Sequence, residues 1–341
     1  MPLIMENSYT LVTGATGLIG AHVVDNLLEK GHKVRIVARS PEKAAAFLKA
    51  RAEYKDKLDV FFIQDLTDDG AFDGAVKDVT GVIHIASPLN YTVTNNEQAL
   101  IIPAIQGVRS ILRASKNTAI KRIVLTSSFG AVLDMSRPEE EAYTYSSTDW
   151  NPITYTEAAS PSATAQDAYR GSKTFAEQEA WKFMEQEKPS FDLVTLCPSM
   201  VFGPLARDPT SVSELNESNK NLWKIMSGSA DDALPPCRFN FWIDVRDLAE
   251  VHVSALFSEK VGGKRYLPIS REPFTYQGAS EVIQMQYPDL EGKIPNSQQA
   301  VKTHVGVDFD DMERDFPGVV AKYTSFEKTV KDLAGQLKGF L

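Results

Sequence analysis

Short runs of apolar, mostly β-branched residues recur along the first two thirds of the chain, at Tyr9–Thr13, Lys33–Ala38, Val60–Ile63, Val82–Ala86, Arg122–Thr126 and Asp192–Leu196. Segments with apolar positions at helical spacing lie between most of them: Leu18–Lys30, Pro41–Tyr54, Ala71–Val79 and Asn96–Lys116, with Ala168–Lys188 before the last run. In the first helix Leu18, Ile19, Val23, Val24, Leu27 and Leu28 form the apolar face, and Gly31 sits where a left-handed C-terminal cap belongs. Ser40-Pro41 opens the second with an N-cap followed by proline at the first helical position. Strands that are apolar along their whole length are buried on both faces, and alternation with helices implies a parallel sheet with right-handed crossovers.

Beyond Pro198 the pattern changes. Gly203–Cys237 reads as loops around one helix near Leu222–Met226, after which a strand-helix unit at Phe241–Phe257 and a strand at Lys264–Ile269 return to the earlier pattern. Two late helices are expected near Tyr276–Tyr287 and Ser325–Phe340. A length of 341 residues suits a main domain with a smaller lobe. The expected division is a nucleotide-binding domain at 1–198 and 238–270, interleaved with a substrate-binding lobe at 199–237 and 271–341.

The segment TLVTGATGLIGAH holds Gly14, Gly17 and Gly20 between the first strand and the first helix. A tight turn there brings the backbone close to a pyrophosphate, and the helix N-terminus offers free N–H groups and partial positive charge. In this context the glycines predict a Rossmann-like doubly wound α/β sheet that binds a dinucleotide, with Thr16, Leu18 and Ile19 also lining its path. An NAD site usually has an acid at the tip of the second strand; here KVRIVARSPEK has Arg39 at the tip and Lys43 one helical turn on. Cations there pair with a 2′-phosphate, so the expected cofactor is NADP(H). Arg35 projects to the same side but farther from the tip. Asp65 and Leu66 after the third strand are candidates for the adenine, and Ala86, Ser87 and Thr126 at later strand ends for the rest of the cofactor.

The fifth strand ends RIVLTSSFG, which places Ser127 and Ser128 at the carboxyl end where open α/β sheets bind ligands. Tyr169 and Lys173 follow, four apart on one helical face, and of the eleven tyrosines only Tyr169 has a lysine at that spacing. Carbonyl reduction needs a hydride, which a nicotinamide supplies, and a proton, which a Tyr hydroxyl can supply. A reference pKa of about 10 is high for that work, and a nearby ammonium favours the phenolate. A Ser hydroxyl aimed at the carbonyl oxygen stabilises the developing alkoxide. Small neighbours, Gly171 and Ser172, leave room beside the pair.

Together TGATGLIG, HIASP, LTSS, YRGSK and CPSMVFGP resemble the extended short-chain dehydrogenase/reductase family, within which the chain is similar to the fungal methylglyoxal/aldehyde reductases and more distantly to plant dihydroflavonol and cinnamoyl-CoA reductases. The resemblance covers almost the whole chain and is strongest from Tyr9 to Pro204 and at WIDVRDLAEVH. It implies Ser128 rather than Ser127 as the catalytic serine, Tyr169 as acid/base and Lys173 as the ribose-binding lysine. It also supports Arg39 and Lys43 at the 2′-phosphate and implies Pro198 to Val201 beside the nicotinamide. Where some relatives have an Asn in the middle helix for a water-mediated proton path, this chain has Gln106.

Pro88, Leu89, Phe129, Val132, Met200 and Phe239 are candidates for an apolar substrate wall suited to alkyl or aryl carbonyls. The expected activity is NADPH-dependent reduction of aldehydes or ketones. Two alternatives compete: an NAD-dependent sugar-nucleotide epimerase/dehydratase, against which Arg39 argues, and a non-catalytic NADPH-sensing protein, against which the intact Ser128, Tyr169 and Lys173 argue. A net charge of −9 disfavours nucleic acid or an anionic membrane as partner, leaving a small-molecule carbonyl substrate and a monomer or homodimer. Cys197 and Cys237 show no ligand spacing, nor do the five histidines, so no metal is expected. His84, within a strand, reads as a hydrogen-bonded core residue, and Trp242 also fits a core position. The N-terminal MPLIMENSYTLVTG has no basic, apolar leader pattern, and no apolar run approaches the roughly 20 residues of a membrane span, so a cytoplasmic protein is expected.

Overall fold

In the computed structural model, which describes residues 8–87, 95–138 and 140–341, the elements follow the expected βα alternation. They run β1 (Tyr9–Thr13), α1 (Leu18–Glu29), β2 (Lys33–Ala38), α2 (Pro41–Lys49), β3 (Leu58–Phe62), β4 (Gly81–His84), α3 (Ile102–Ser115) and β5 (Arg122–Thr126). Then come β6 (Tyr143–Tyr145), α4 (Tyr155–Ala159), α5 (Ala165–Glu187), β7 (Asp192–Leu196), β8 (Met200–Phe202), α6 (Glu217–Met226), β9 (Trp242–Asp244), α7 (Val245–Phe257) and β10 (Lys264–Tyr266). The chain ends with α8 (Tyr276–Gln286), β11 (Val305–Val307), α9 (Asp310–Asp315), α10 (Pro317–Val320) and α11 (Phe326–Leu337).

Seven strands form one sheet in the order β10-β7-β5-β4-β1-β2-β3, with every pair parallel. Strand order reverses between β1 and β4, and a crevice opens at such a point beyond the carboxyl ends of the strands. Alternate residues of each strand serve opposite faces. Val12, Val124 and Val194 pack with Val23, Val24 and Leu27 of α1 and Val251 of α7, whereas Leu11, Ile123 and Leu193 pack with Ile111 of α3 and Ala180 of α5. This is why the strands carry no polar alternation. A third core joins Leu222 and Ile225 of α6, Ile283 of α8, and Val330 and Leu333 of α11 around Phe202 and Trp242. Trp242 is fully buried, a core residue as its sequence position suggested, and such a side chain contributes about 1.5–3 kcal/mol or more of burial free energy.

Two expectations change. Ala71–Val79 is a succession of turns rather than a helix. Gly70 and Asp78 both take positive φ, and a Cβ on Gly74 would lie 2.5 Å from the Phe61 ring, so the segment closes on β3 instead of coiling away from it. The expected continuous helix from Asn96 begins with a π-helical turn, Glu97–Ile101, before α3 proper. The small pairs β6–β11 and β8–β9 lie outside the main sheet. Among the described residues no helix is long and apolar enough to cross a membrane.

Candidate active site

The glycine loop folds against the end of β4. Gly14 has φ +70°, and a Cβ there would stand 2.9 Å from the Ala86 nitrogen; a Cβ on Gly20 would meet the Gly14 carbonyl oxygen at 2.2 Å. Both positions therefore need glycine for close backbone approach. Thr13 Oγ1 accepts the amide protons of Ile85 and Ala86, each at 3.1 Å, and bonds His84 Nδ1 at 2.9 Å. His84 is thus the buried, hydrogen-bonded strand residue its position predicted, and burial holds its imidazole down to about 3.

At the mouth of this loop Thr16 and Gly17 are exposed and Leu18 and Ile19 half-buried. Helix α1 has Gly17 at its N-cap with no capping side chain and no acid in its first turn, so its leading N–H groups face outward uncapped. That fits a bound anion. Arg39 is exposed at the tip of β2 and makes no hydrogen bond or ion pair among the described residues. Arg35 is held: it donates to Asp59 Oδ2 at 3.1 Å and to the carbonyl oxygens of Ala75 and Lys77, and stacks on Tyr9. Of the two arginines, only Arg39 is available to an incoming phosphate. Lys43 lies in α2, but its side chain is outside the described residues, as are Pro88 and Leu89. Asp65 is exposed, and its Oδ1 accepts both the Thr67 amide and hydroxyl, which holds its carboxyl below the usual range; Leu66 is half-buried beside it.

Strand β5 delivers the serines and α5 the Tyr-Lys pair. The two serines diverge. Ser127 is buried and donates to Glu177 Oε2 at 2.6 Å, while half-buried Ser128 lies near the Tyr169 phenol and accepts the Gly130 amide at 3.0 Å. Burial raises the Tyr169 phenol above its ordinary value, and the nearby Ser128 hydroxyl works against that rise. Lys173 is buried, donates to the Thr126 carbonyl oxygen at 3.4 Å, and is lowered to about 8 by burial, against the pull of the Glu177 carboxylate. Thr126 Oγ1 in turn bonds His252 Nε2 at 2.7 Å. The small neighbours on α5 have other uses than space: a Cβ on Gly171 would lie 2.4 Å from Ala158 Cβ of α4, and Ser172 donates to the Tyr169 carbonyl oxygen.

Ala86, Ser87, Thr126, Ser127, Lys173 and Glu177 share one small cavity, whose α3 wall is Ala104 and Val108. Gln106 is exposed on α3, so its side chain is not on that wall. Pro198 is buried, its carbonyl oxygen accepting the Phe129 amide at 2.8 Å, and Val201 is buried in β8. Met200 and Phe239 are half-buried, Phe239 stacked on Phe241 with ring centroids 6.2 Å apart. Phe129 is 4% exposed and edge-on to Tyr145 and Phe241. Val132 has no exposed surface and packs with Cys197, Leu267 and Ile269.

Sequence reasoning missed Glu177. It is 1% exposed and accepts from Ser127, Thr195, Trp181 and Arg265. Its one available signal was position: it follows Lys173 by four residues, as Lys173 follows Tyr169.

Residues 10–267 match the family described as NAD dependent epimerase/dehydratase family. A Schizosaccharomyces pombe protein named an uncharacterized oxidoreductase is 37% identical over 336 residues, covering 98% of this chain and 98% of that protein. The NADPH-dependent methylglyoxal reductase of Saccharomyces cerevisiae is 34% identical, with 96% of this chain and 98% of that protein covered. The crystal structure of yeast methylglyoxal/isovaleraldehyde reductase Gre2 complexed with NADPH superposes with a TM-score of 0.89 at 33% identity, over 97% of this chain and 98% of that one. With a nucleotide loop, a seven-stranded parallel sheet and a match of this extent, the chain belongs to the NAD dependent epimerase/dehydratase family, the extended short-chain dehydrogenases/reductases.

Proposed function

We propose that the protein is an NADPH-dependent carbonyl reductase that converts small aldehydes or ketones to alcohols. The observation that carries this reading is the grouping of Ser128, Tyr169 and buried Lys173 at the open end of β5. The S. cerevisiae relative, an NADPH-dependent methylglyoxal reductase, supports it. Unpaired Arg39, with no acid at the tip of β2, supports NADP(H) over NAD(H) and disfavours the epimerase alternative.

NADPH, when bound, supplies the hydride to the carbonyl carbon. The chain's own residues do the rest. Ser128 donates a hydrogen bond to the carbonyl oxygen as negative charge builds there. Tyr169, protonated because burial keeps its phenol above the ordinary value, passes its proton to that oxygen. Lys173 is anchored on the Thr126 carbonyl oxygen, and its ammonium stabilises the phenolate left behind. The Thr13 hydroxyl holds the backbone after β4, and the uncapped N-terminus of α1 is suited to a pyrophosphate. The part of the chain built on the core around Phe202 then covers the substrate, with Met200 packed against that core and Phe239 beside it. Phe239 stacks on Phe241, and that aromatic wall suits apolar carbonyls.

The test is consumption of reduced nicotinamide with methylglyoxal, a branched aldehyde, an aryl ketone and a β-ketoester, using NADPH and NADH in parallel. Turnover with NADPH and little with NADH supports the reading. No turnover with any carbonyl overturns it, and a nucleotide carried through purification would then point to epimerase chemistry.

A further inference from the structure

The carboxylate of Glu177 sits where four parts of the fold meet. On α5 it stands one turn beyond Lys173 and two beyond Tyr169. From β5, Ser127 donates to Oε2 at 2.6 Å; from β7, Thr195 donates to Oε1 at 2.7 Å, with the Cys197 thiol 3.4 Å from Oε2. From β10, Arg265 donates to Oε1 at 2.8 Å and to Oε2 at 3.2 Å. Both partners of this ion pair are buried, the guanidinium at 7% exposure and the carboxylate at 1%. Arg265 is itself saturated: it also donates to the carbonyl oxygens of Ser147, Asp149 and Ala131, and lies over the Trp150 ring at 3.9 Å. Stranding either ion is costly, so the pair fixes where α5 docks. Glu177 and Lys173 also line the same small cavity, whose α3 wall, Ala104 and Val108, carries no charge.

We propose that Glu177 is a positioning residue for the reduction, locking the Tyr169–Lys173 helix to the Ser127–Ser128 strand end and supplying the counter-charge that keeps Lys173 an ammonium. This rests on the carbonyl-reductase reading of the same site. Other titratable and charged groups around Lys173 and Glu177 do not take over this role. Arg265 on β10 is a fixed cation, His84 on β4 and His252 on α7 are held neutral by burial, the Cys197 thiol after β7 is pushed up to about 12, and Tyr169 is on the same face of α5. The carboxylate pulls Lys173 toward its charged form, so removing it makes the lysine lose its proton at lower pH.

The experiment measures the pH dependence of NADPH affinity by nicotinamide fluorescence and of kcat/KM for reduction. Variants are Glu177→Gln, Glu177→Asp and Ser127→Ala, with the double variant Glu177→Gln/Arg265→Met, which removes the ion pair together and so avoids a stranded guanidinium. The alkaline limb of both profiles is expected to move down by about one pH unit in Glu177→Gln, to move less in the double variant, which removes a cation together with the carboxylate, and to stay in place in Glu177→Asp and Ser127→Ala, which keep the charge. An unmoved limb in Glu177→Gln, a double variant shifted as far as Glu177→Gln, or an equal shift in Ser127→Ala overturns the proposal. The affinity profile needs no turnover, so a wild-type protein that binds NADPH but reduces nothing would sink the reductase reading while still reporting on Glu177.

Discussion

Ser127 and Ser128 are neighbours in sequence whose hydroxyls serve different partners: one is spent on the buried carboxylate of Glu177, while the other accepts the Gly130 amide and lies near the phenol of Tyr169. Their replacements are expected to fail differently. Ser128→Ala should lower kcat by roughly 10²–10³ with little change in melting temperature, as expected when a donor to the developing alkoxide is lost. Ser127→Ala should instead lower stability by about 1–3 kcal/mol, because it leaves a buried acceptor short of a partner. Single-turnover rates and urea midpoints for the two variants separate these outcomes; a rate loss in both of equal size would refute the division of labour.

Tyr169→Phe removes the proton donor and keeps the ring. Reduction should fall by roughly 10²–10⁴ while NADPH binding, read by fluorescence, stays within a few-fold of wild type. Retained turnover would remove Tyr169 as the acid.

Arg39→Ala should raise KM for NADPH roughly tenfold to hundredfold and leave KM for NADH nearly unchanged, the size expected for losing charge-assisted bonds to one phosphate group. Arg35→Ala should show no such selectivity, because Arg35 is already engaged by Asp59, Ala75 and Lys77. Steady-state kinetics with both cofactors decide this.

Activity should fall on the alkaline side. Lys173, lowered to about 8 by burial, loses its charge as pH rises through that value, and with it the stabilisation of the Tyr169 phenolate. The Tyr169 phenol lies above its ordinary value and remains protonated in that range. kcat/KM for reduction is therefore expected to be flat near neutrality and to decline above about pH 8. A profile flat to pH 10 would contradict the assignment.

Stability should fall on the acid side. His252 is fully buried, with Nδ1 bonded to the Leu248 carbonyl oxygen at 2.8 Å and Nε2 to the Thr126 hydroxyl, and burial lowers it to about 4. Its folded value lies below its unfolded one, so the unfolded chain binds the extra proton. The stability it contributes is complete above about pH 6.5 and is lost as pH falls toward 4, at about 1.4 kcal/mol per pH unit. His252→Gln, which keeps hydrogen-bonding groups but cannot titrate, should flatten that decline in urea melts between pH 6.5 and 4.

Much of this was legible in the chain. Tyr9–Thr13, Lys33–Ala38, Arg122–Thr126 and Asp192–Leu196 are strands with the expected bounds, because a strand buried on both faces writes itself as an uninterrupted apolar run. Ala71–Val79 misled because Phe72, Val76 and Val79 are indeed buried at helical spacing, yet Gly70, Gly74 and Asp78 permit a tighter set of turns. The β6–β11 pair was invisible: each strand has three residues, and the partners lie about 160 positions apart. Glu177 was hidden for a related reason. A single acid on a long helix looks like solvated surface until Arg265, 88 residues on, is seen to meet it.

The edge strand β10 gives this site a timetable. As the chain emerges from a ribosome, the glycine loop, both serines, Tyr169 and Lys173 all appear before Arg265. Until that arginine arrives and β10 settles beside β7, the Glu177 carboxylate has no counterion, and burying it alone is costly. Full burial of that carboxylate, and with it the final docking of the helix that carries the proton donor, is therefore expected only once the far edge of the sheet has closed.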